Sequence, residues 1–135
     1  MIGVLVVTHG KLAEGLKDSI ELIIGEQKKF EVEGLFHGDD FEELRTRVYD
    51  NVLNLNDSDG VLVLVDLFGA SPYNSVVFNY PRFKQENIEV RLITGVNLPM
   101  LIEALDARNY CGLDELYAKS IETAKEHIKG FDGHF

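Results

Sequence analysis

The chain has 135 residues, 45 % hydrophobic and 27 % charged, enough for one self-supporting core and too apolar for a disordered or fibrous protein. Thirteen Lys and Arg against 23 Asp and Glu give a net charge of −10, which repels phosphate backbones and argues against nucleic acid or anionic membrane as partners. The single cysteine, Cys111, excludes an intramolecular disulfide and reads as a small buried thiol in a loop.

Met1-Ile2-Gly3-Val4 enters an apolar stretch with no basic region before it, so no secretory signal is expected. Ile2 to Val7 is the first strand, apolar throughout as when both faces are covered. Leu12, Leu16, Ile20 and Ile23 or Ile24 then repeat at helix spacing, with Gly25 as the stop. A second strand covers Phe30 to Phe36, and a second helix carries Phe41, Leu44, Val48, Val52 and Leu55 behind an Asp39 or Asp40 cap. Phe30, Phe36 and Phe41 are expected in the core.

Val61 to Val65 is a third strand, again wholly apolar. Ser71-Pro72 predicts a helix start, with Ser71 as cap and proline at the first helical position. Glu89 to Ile93 is the fourth strand; Asn97-Leu98-Pro99 opens the next helix, and Leu113 to Lys129 forms the last, stopped by Gly130. The alternation predicts one α/β domain over residues 1–135: an open, doubly wound, mainly parallel four-stranded sheet with helices on both faces. The longest apolar runs end after about six residues, against the ~20 that span a bilayer, so a cytoplasmic protein with no membrane insertion is expected.

Ligands of such a sheet sit beyond the carboxyl ends of its strands. Two ionisable residues, His9 and Asp66, follow the two most apolar strands there. Imidazole titrates near neutrality and can act as nucleophile, base or metal ligand; a carboxylate on one ring nitrogen frees the other's lone pair. Gly69-Ala70-Ser71 lets backbone N–H groups approach an anion at a helix N-terminus, with the Ser71 hydroxyl as a further donor. His37 follows the second strand, where ordinary turn chemistry also accounts for it, and His127 and His134 are expected in solvent.

Val7-Thr8-His9-Gly10, Asp66 with Phe68-Gly69-Ala70-Ser71-Pro72-Tyr73-Asn74, and Thr94-Gly95-Val96-Asn97-Leu98-Pro99 carry a resemblance. In order and spacing they resemble the mannose-family IIA component of the bacterial phosphoenolpyruvate-dependent sugar phosphotransferase system. The resemblance implies that His9 is phosphorylated on Nε2 by the phosphocarrier protein HPr and passes the group to a IIB component. It implies that Asp66 bonds Nδ1, that Ser71 and nearby amides at Gly69 and Ala70 hold the phosphoryl oxygens, and that a loop with Asn97 and Pro99 meets partners. It implies a homodimer, although Phe131-Asp132-Gly133-His134-Phe135 is short for the strand that relatives exchange. No metal or cofactor is implied, and no sugar is assigned, because a IIA domain does not touch it.

The phosphotransfer subunit of dihydroxyacetone kinase shares the histidine and stands as an alternative. A receiver-like domain phosphorylated on Asp66 would need an acidic pair after the first strand, where Thr8-His9 stands. A hydrolase triad of His9, Asp66 and Ser71 lacks the G-x-S-x-G elbow, and a metal site of His9, His37 and Asp66 has no spacing signature.

Overall fold

The two fully apolar runs lie side by side at the centre of the sheet. The computed structural model describes residues Met1–Phe135. β1 (Gly3–His9) and β3 (Val61–Val65) pair with Gly3 opposite Val61 and Val7 opposite Val65. β2 (Phe30–Leu35) lies outside β1, and β4 (Val90–Ile93) outside β3, giving the order β2-β1-β3-β4. Every pairing is parallel, so the sheet is more uniform than the mainly parallel one expected.

Six helices cover its two faces: α1 (Leu12–Ile24), α2 (Phe41–Leu55), α3 (Ser71–Phe78), α4 (Tyr80–Gln85), α5 (Leu98–Ala107) and α6 (Leu113–Glu126). Alternate strand residues serve opposite layers. Val4, Val6, Leu62 and Leu64 pack with Ala13 and Ile20 of α1, Leu101 of α5 and Leu116 of α6. Leu5, Val7, Val63 and Val65 pack with Val48 and Val52 of α2, Val76 of α3 and Phe83 of α4. Burying each Val or Leu is worth roughly 1.5–3 kcal/mol, and this two-sided burial selects parallel strands.

Local chemistry sets the ends. Asp40 caps α2, its Oδ1 accepting the Glu42 N–H at 2.9 Å. Ser71 is not a cap: Ala70 holds that position, and Ser71 and Pro72 are already helical. α4 was not legible in the sequence; it is short, has proline in its first turn, and is anchored by Phe83 at 1 % exposure. α6 stops at Glu126 rather than Lys129, because Ile128 has no core to enter and is 79 % exposed. Phe30 is buried as expected, but Phe36, just after β2, and Phe41, the first residue of α2, are exposed.

At the opposite, amino edge, buried Arg108 ties strand entrances together. Its guanidinium donates to the carbonyls of Ile2 (3.0 Å), Lys29 (3.1 Å) and Lys28 (2.6 Å). Burial lowers its pKa from the ordinary arginine value. Cys111 is half-buried with its thiol on the Ala107 carbonyl, and burial pushes its pKa up. No helix is long and apolar enough to cross a membrane.

Candidate functional site

The chain leaves β1 toward β2 on one side and β3 toward β4 on the other, so strand order reverses between β1 and β3. The carboxyl edge at such a switch point is where ligands of open parallel sheets bind. His9 is the last residue of β1 and Asp66 follows the last residue of β3. Parallel register with Val7 opposite Val65 brings the two together.

Asp66 Oδ2 lies 2.8 Å from His9 Nδ1 and accepts the His9 backbone N–H at 2.9 Å. Oδ1 accepts the Leu67 N–H at 3.0 Å. An ionised carboxylate only accepts, so Nδ1 carries the proton and the neutral ring keeps its lone pair on Nε2. The imidazole is 46 % exposed and the Asp66 side chain 12 %: the ring faces out from a sheltered anchor. Burial opposes ionisation of Asp66, but the His9 hydrogen bonds and charge outweigh it and hold the carboxyl below its ordinary range.

Beyond Asp66 the chain turns at Gly69, whose φ of +77° suits glycine, and enters α3 through extended Ala70. None of the turn and cap hydrogen bonds uses the N–H of Gly69, Ala70 or Ser71. The Ser71 hydroxyl makes no cap bond. An exposed loop thus presents uncommitted donors at a helix N-terminus, where the dipole favours an anion. Asn74 braces it: Nδ2 donates to the Gly69 carbonyl at 3.1 Å, and its N–H to that of Ala70 at 2.9 Å. Sequence reasoning gave Asn74 no role, since an amide one helical turn downstream has no signature of its own.

Neighbouring loops complete the rim. The N–H groups of Gly95 and Val96 donate to the carbonyls of Asp66 (3.2 Å) and Val65 (3.1 Å), pinning the loop after β4 against β3. Asn97 is half-buried and caps α5, its Oδ1 accepting the Met100 N–H at 2.9 Å; Pro99 follows in the first turn. The Asn97 amide is therefore committed internally. His37 is exposed, and no group of three or more His, Cys, Asp or Glu side chains is placed to hold a metal ion, so His9, His37 and Asp66 form no such site. The side chains of Leu12, Leu67, Phe68, Phe36 and Phe41 are exposed on the elements that border His9.

A family model described as the PTS system fructose IIA component, EIIA-man, matches residues 3–121. The chain belongs to the EIIA-man family. It is thus an EIIA component of the mannose, fructose and sorbose branch of the phosphotransferase system (PTS). It is 35 % identical over 129 residues to the mannose-specific EIIAB component of Escherichia coli K12, a match covering 95 % of this chain and 39 % of that protein. The chain therefore spans about two-fifths of that relative's length. It is 29 % identical over 136 residues to the fructose-specific EIIA component of Bacillus subtilis, covering 96 % of this chain and 90 % of that one. The crystal structure of EIIA from Streptococcus agalactiae superposes with a TM-score of 0.90 at 29 % identity, over 99 % of this chain and 100 % of the other.

Proposed function

We propose that this EIIA component is a phosphoryl carrier whose acceptor is His9 Nε2, with HPr as donor and a IIB component as recipient during sugar uptake in the cytoplasm. The observation that carries the reading is the His9–Asp66 pair at the switch point, which leaves Nε2 with a lone pair on an exposed ring. The Nε2 pair attacks phosphorus, a new N–P bond forms, and the bond to the donor breaks with its electrons returning to the donor. Reversal onto IIB regenerates neutral His9.

Phosphoryl transfer asks mainly for alignment and for donors around the equatorial oxygens. Asp66 aligns the ring, and the amides of Gly69, Ala70 and Ser71 with the Ser71 hydroxyl are the donors we assign to those oxygens. Such dipoles are preorganised, because the α3 entrance and Asn74 already fix the loop. Exposed apolar side chains such as Leu67 and Phe68 beside the site suit a protein donor and recipient better than a small metabolite. Incubation with phosphoenolpyruvate, enzyme I and HPr is expected to add one acid-labile, base-stable phosphate. His9→Ala is expected to abolish it with the fold intact, and phosphate persisting at His37 in that variant would overturn the assignment.

We further propose a homodimer. β4 has one unpaired edge, and beside it a groove of about 650 Å³ is lined by Tyr73, Tyr80, Leu92, Tyr117 and Ile121 among others. The segment after α6 exposes Ile128, Phe131 and Phe135. The C-terminal segment of a second copy is the occupant this reading assigns to the groove. Sedimentation should give a dimer for the full chain and a monomer after truncation beyond His127; an unchanged dimer would refute this arrangement.

A further inference from the structure

Thr8, the residue before His9 in β1, has a polar side chain at 0 % exposure. Its Oγ1 accepts the Ala13 N–H at 2.8 Å and donates to the His9 carbonyl at 3.1 Å. The first contact replaces a missing cap, because Lys11 at the N-cap of α1 makes no side-chain bond. The second reaches the acceptor residue itself. His9 is then held at its N–H and Nδ1 by Asp66 and at its carbonyl by Thr8. Of its polar atoms only Nε2 is uncommitted.

We infer that Thr8 is a positioning residue for phosphoryl acceptance: its hydroxyl fixes the main chain of His9 and hence the direction in which Nε2 faces. Asp66 alone orients the ring about its own bonds. Without the carbonyl tether the peptide plane after His9 keeps only the Gly10 N–H bond to the Leu35 carbonyl (2.7 Å), and the His9 main chain can shift about it, displacing the imidazole from the Gly69–Ser71 amides. A displacement of about 1 Å costs on the order of 10²-fold in a reaction that depends on alignment.

The inference rests on His9 being the acceptor, and the wild-type chain tests that separately: if it takes no phosphate from pre-formed phospho-HPr, the acceptor reading fails. With wild-type transfer established, single-turnover acceptance is compared in Thr8→Val, which keeps the shape without the hydroxyl, and Thr8→Ser, which restores it. Thr8→Val is expected to slow the saturated rate about 10- to 100-fold, with less than about a twofold change in the donor concentration giving half that rate. Its imidazole ¹⁵N spectrum should lose the single Nδ1–H tautomer of the wild type. Thr8→Ser should recover the rate to within about threefold and restore the spectrum. A purely structural cap would lower the unfolding midpoint of Thr8→Val and leave the rate per folded molecule and the tautomer unchanged; that result overturns the inference. If Thr8→Val does not fold, Thr8→Cys takes its place, with a thiol of similar shape and weaker donation. An intermediate rate in Thr8→Cys supports the role, and a wild-type rate overturns it.

Discussion

One oxygen atom, Asp66 Oδ2, grips His9 twice, at 2.8 Å from the ring Nδ1 and 2.9 Å from the main-chain nitrogen. The other oxygen is occupied by the Leu67 N–H, so the carboxylate that aims the ring is itself fixed. Orientation of His9 thus depends on a side chain that parallel pairing of β1 with β3 brings to it across the sheet.

Asp66→Asn is the sharpest probe of that relationship. The amide is nearly isosteric, but its NH₂ can donate to Nδ1 and stabilise the tautomer with the proton on Nε2. Acceptance from phospho-HPr should fall on the order of 10²–10⁴-fold in a folded protein. Stopped-flow or quench-flow transfer kinetics check this, and an unchanged rate would remove the orienting role.

The same residue ties stability to acid. Burial works against its charge, yet the His9 hydrogen bonds prevail and its folded pKa lies below the ordinary value of 3.8. A carboxyl depressed on folding contributes stability that is complete above its unfolded pKa and lost as pH falls through the folded one. Urea midpoints should therefore drop as pH falls below about 4, and Asp66→Asn should flatten part of that decline. Equal acid slopes in the two proteins would contradict the shift.

Gly34 sets the other side of the His9 turn. A Cβ there would lie 2.6 Å from the Gly10 carbonyl oxygen and 2.9 Å from the Phe36 ring. The Gly10 N–H already donates to the Leu35 carbonyl at 2.7 Å, so the turn cannot retreat without losing that bond. Gly34→Ala should cost about 1–3 kcal/mol of stability and slow transfer as well. Thermal unfolding and transfer kinetics on one preparation test both effects.

The general plan was legible because two runs, Ile2 to Val7 and Val61 to Val65, carry no polar side chain, a pattern that covered central strands show. His9 and Asp66 stood out as ionisable residues ending such strands. What escaped the sequence depends on contacts made only after folding. The Thr8 hydroxyl accepts from the amide of Ala13, five residues on, while donating to the His9 carbonyl, and that reach exists only once the turn has closed. The misreading of Ser71 as a cap came from Ser-Pro statistics, whereas Ala70 takes the extended position and leaves the hydroxyl out of capping. Phe36 and Phe41 are apolar by type yet exposed at the site edge, and no periodicity separates a core phenylalanine from one on the rim.

Arg108 supplies a control far from the chemistry. It holds three carbonyls at the amino edge of the sheet, opposite to His9. Arg108→Met should cost about 2–4 kcal/mol by stranding those carbonyls while leaving the transfer rate of the folded protein unchanged. A variant that unfolds in the same urea as the wild type would contradict the clamp.

The central claim is that the phosphoryl group rests on Nε2 of His9, placed by fixed amides and no metal. Phosphorylation by pre-formed, desalted phospho-HPr in EDTA, followed by ¹⁵N and ³¹P NMR of the imidazole, reads it directly. The account predicts one phosphate, bonded to Nε2 of His9, with Nδ1 still protonated against Asp66. A phosphate on Nδ1, on His37 or on the Asp66 carboxylate, or transfer that fails once metal is chelated, would contradict it.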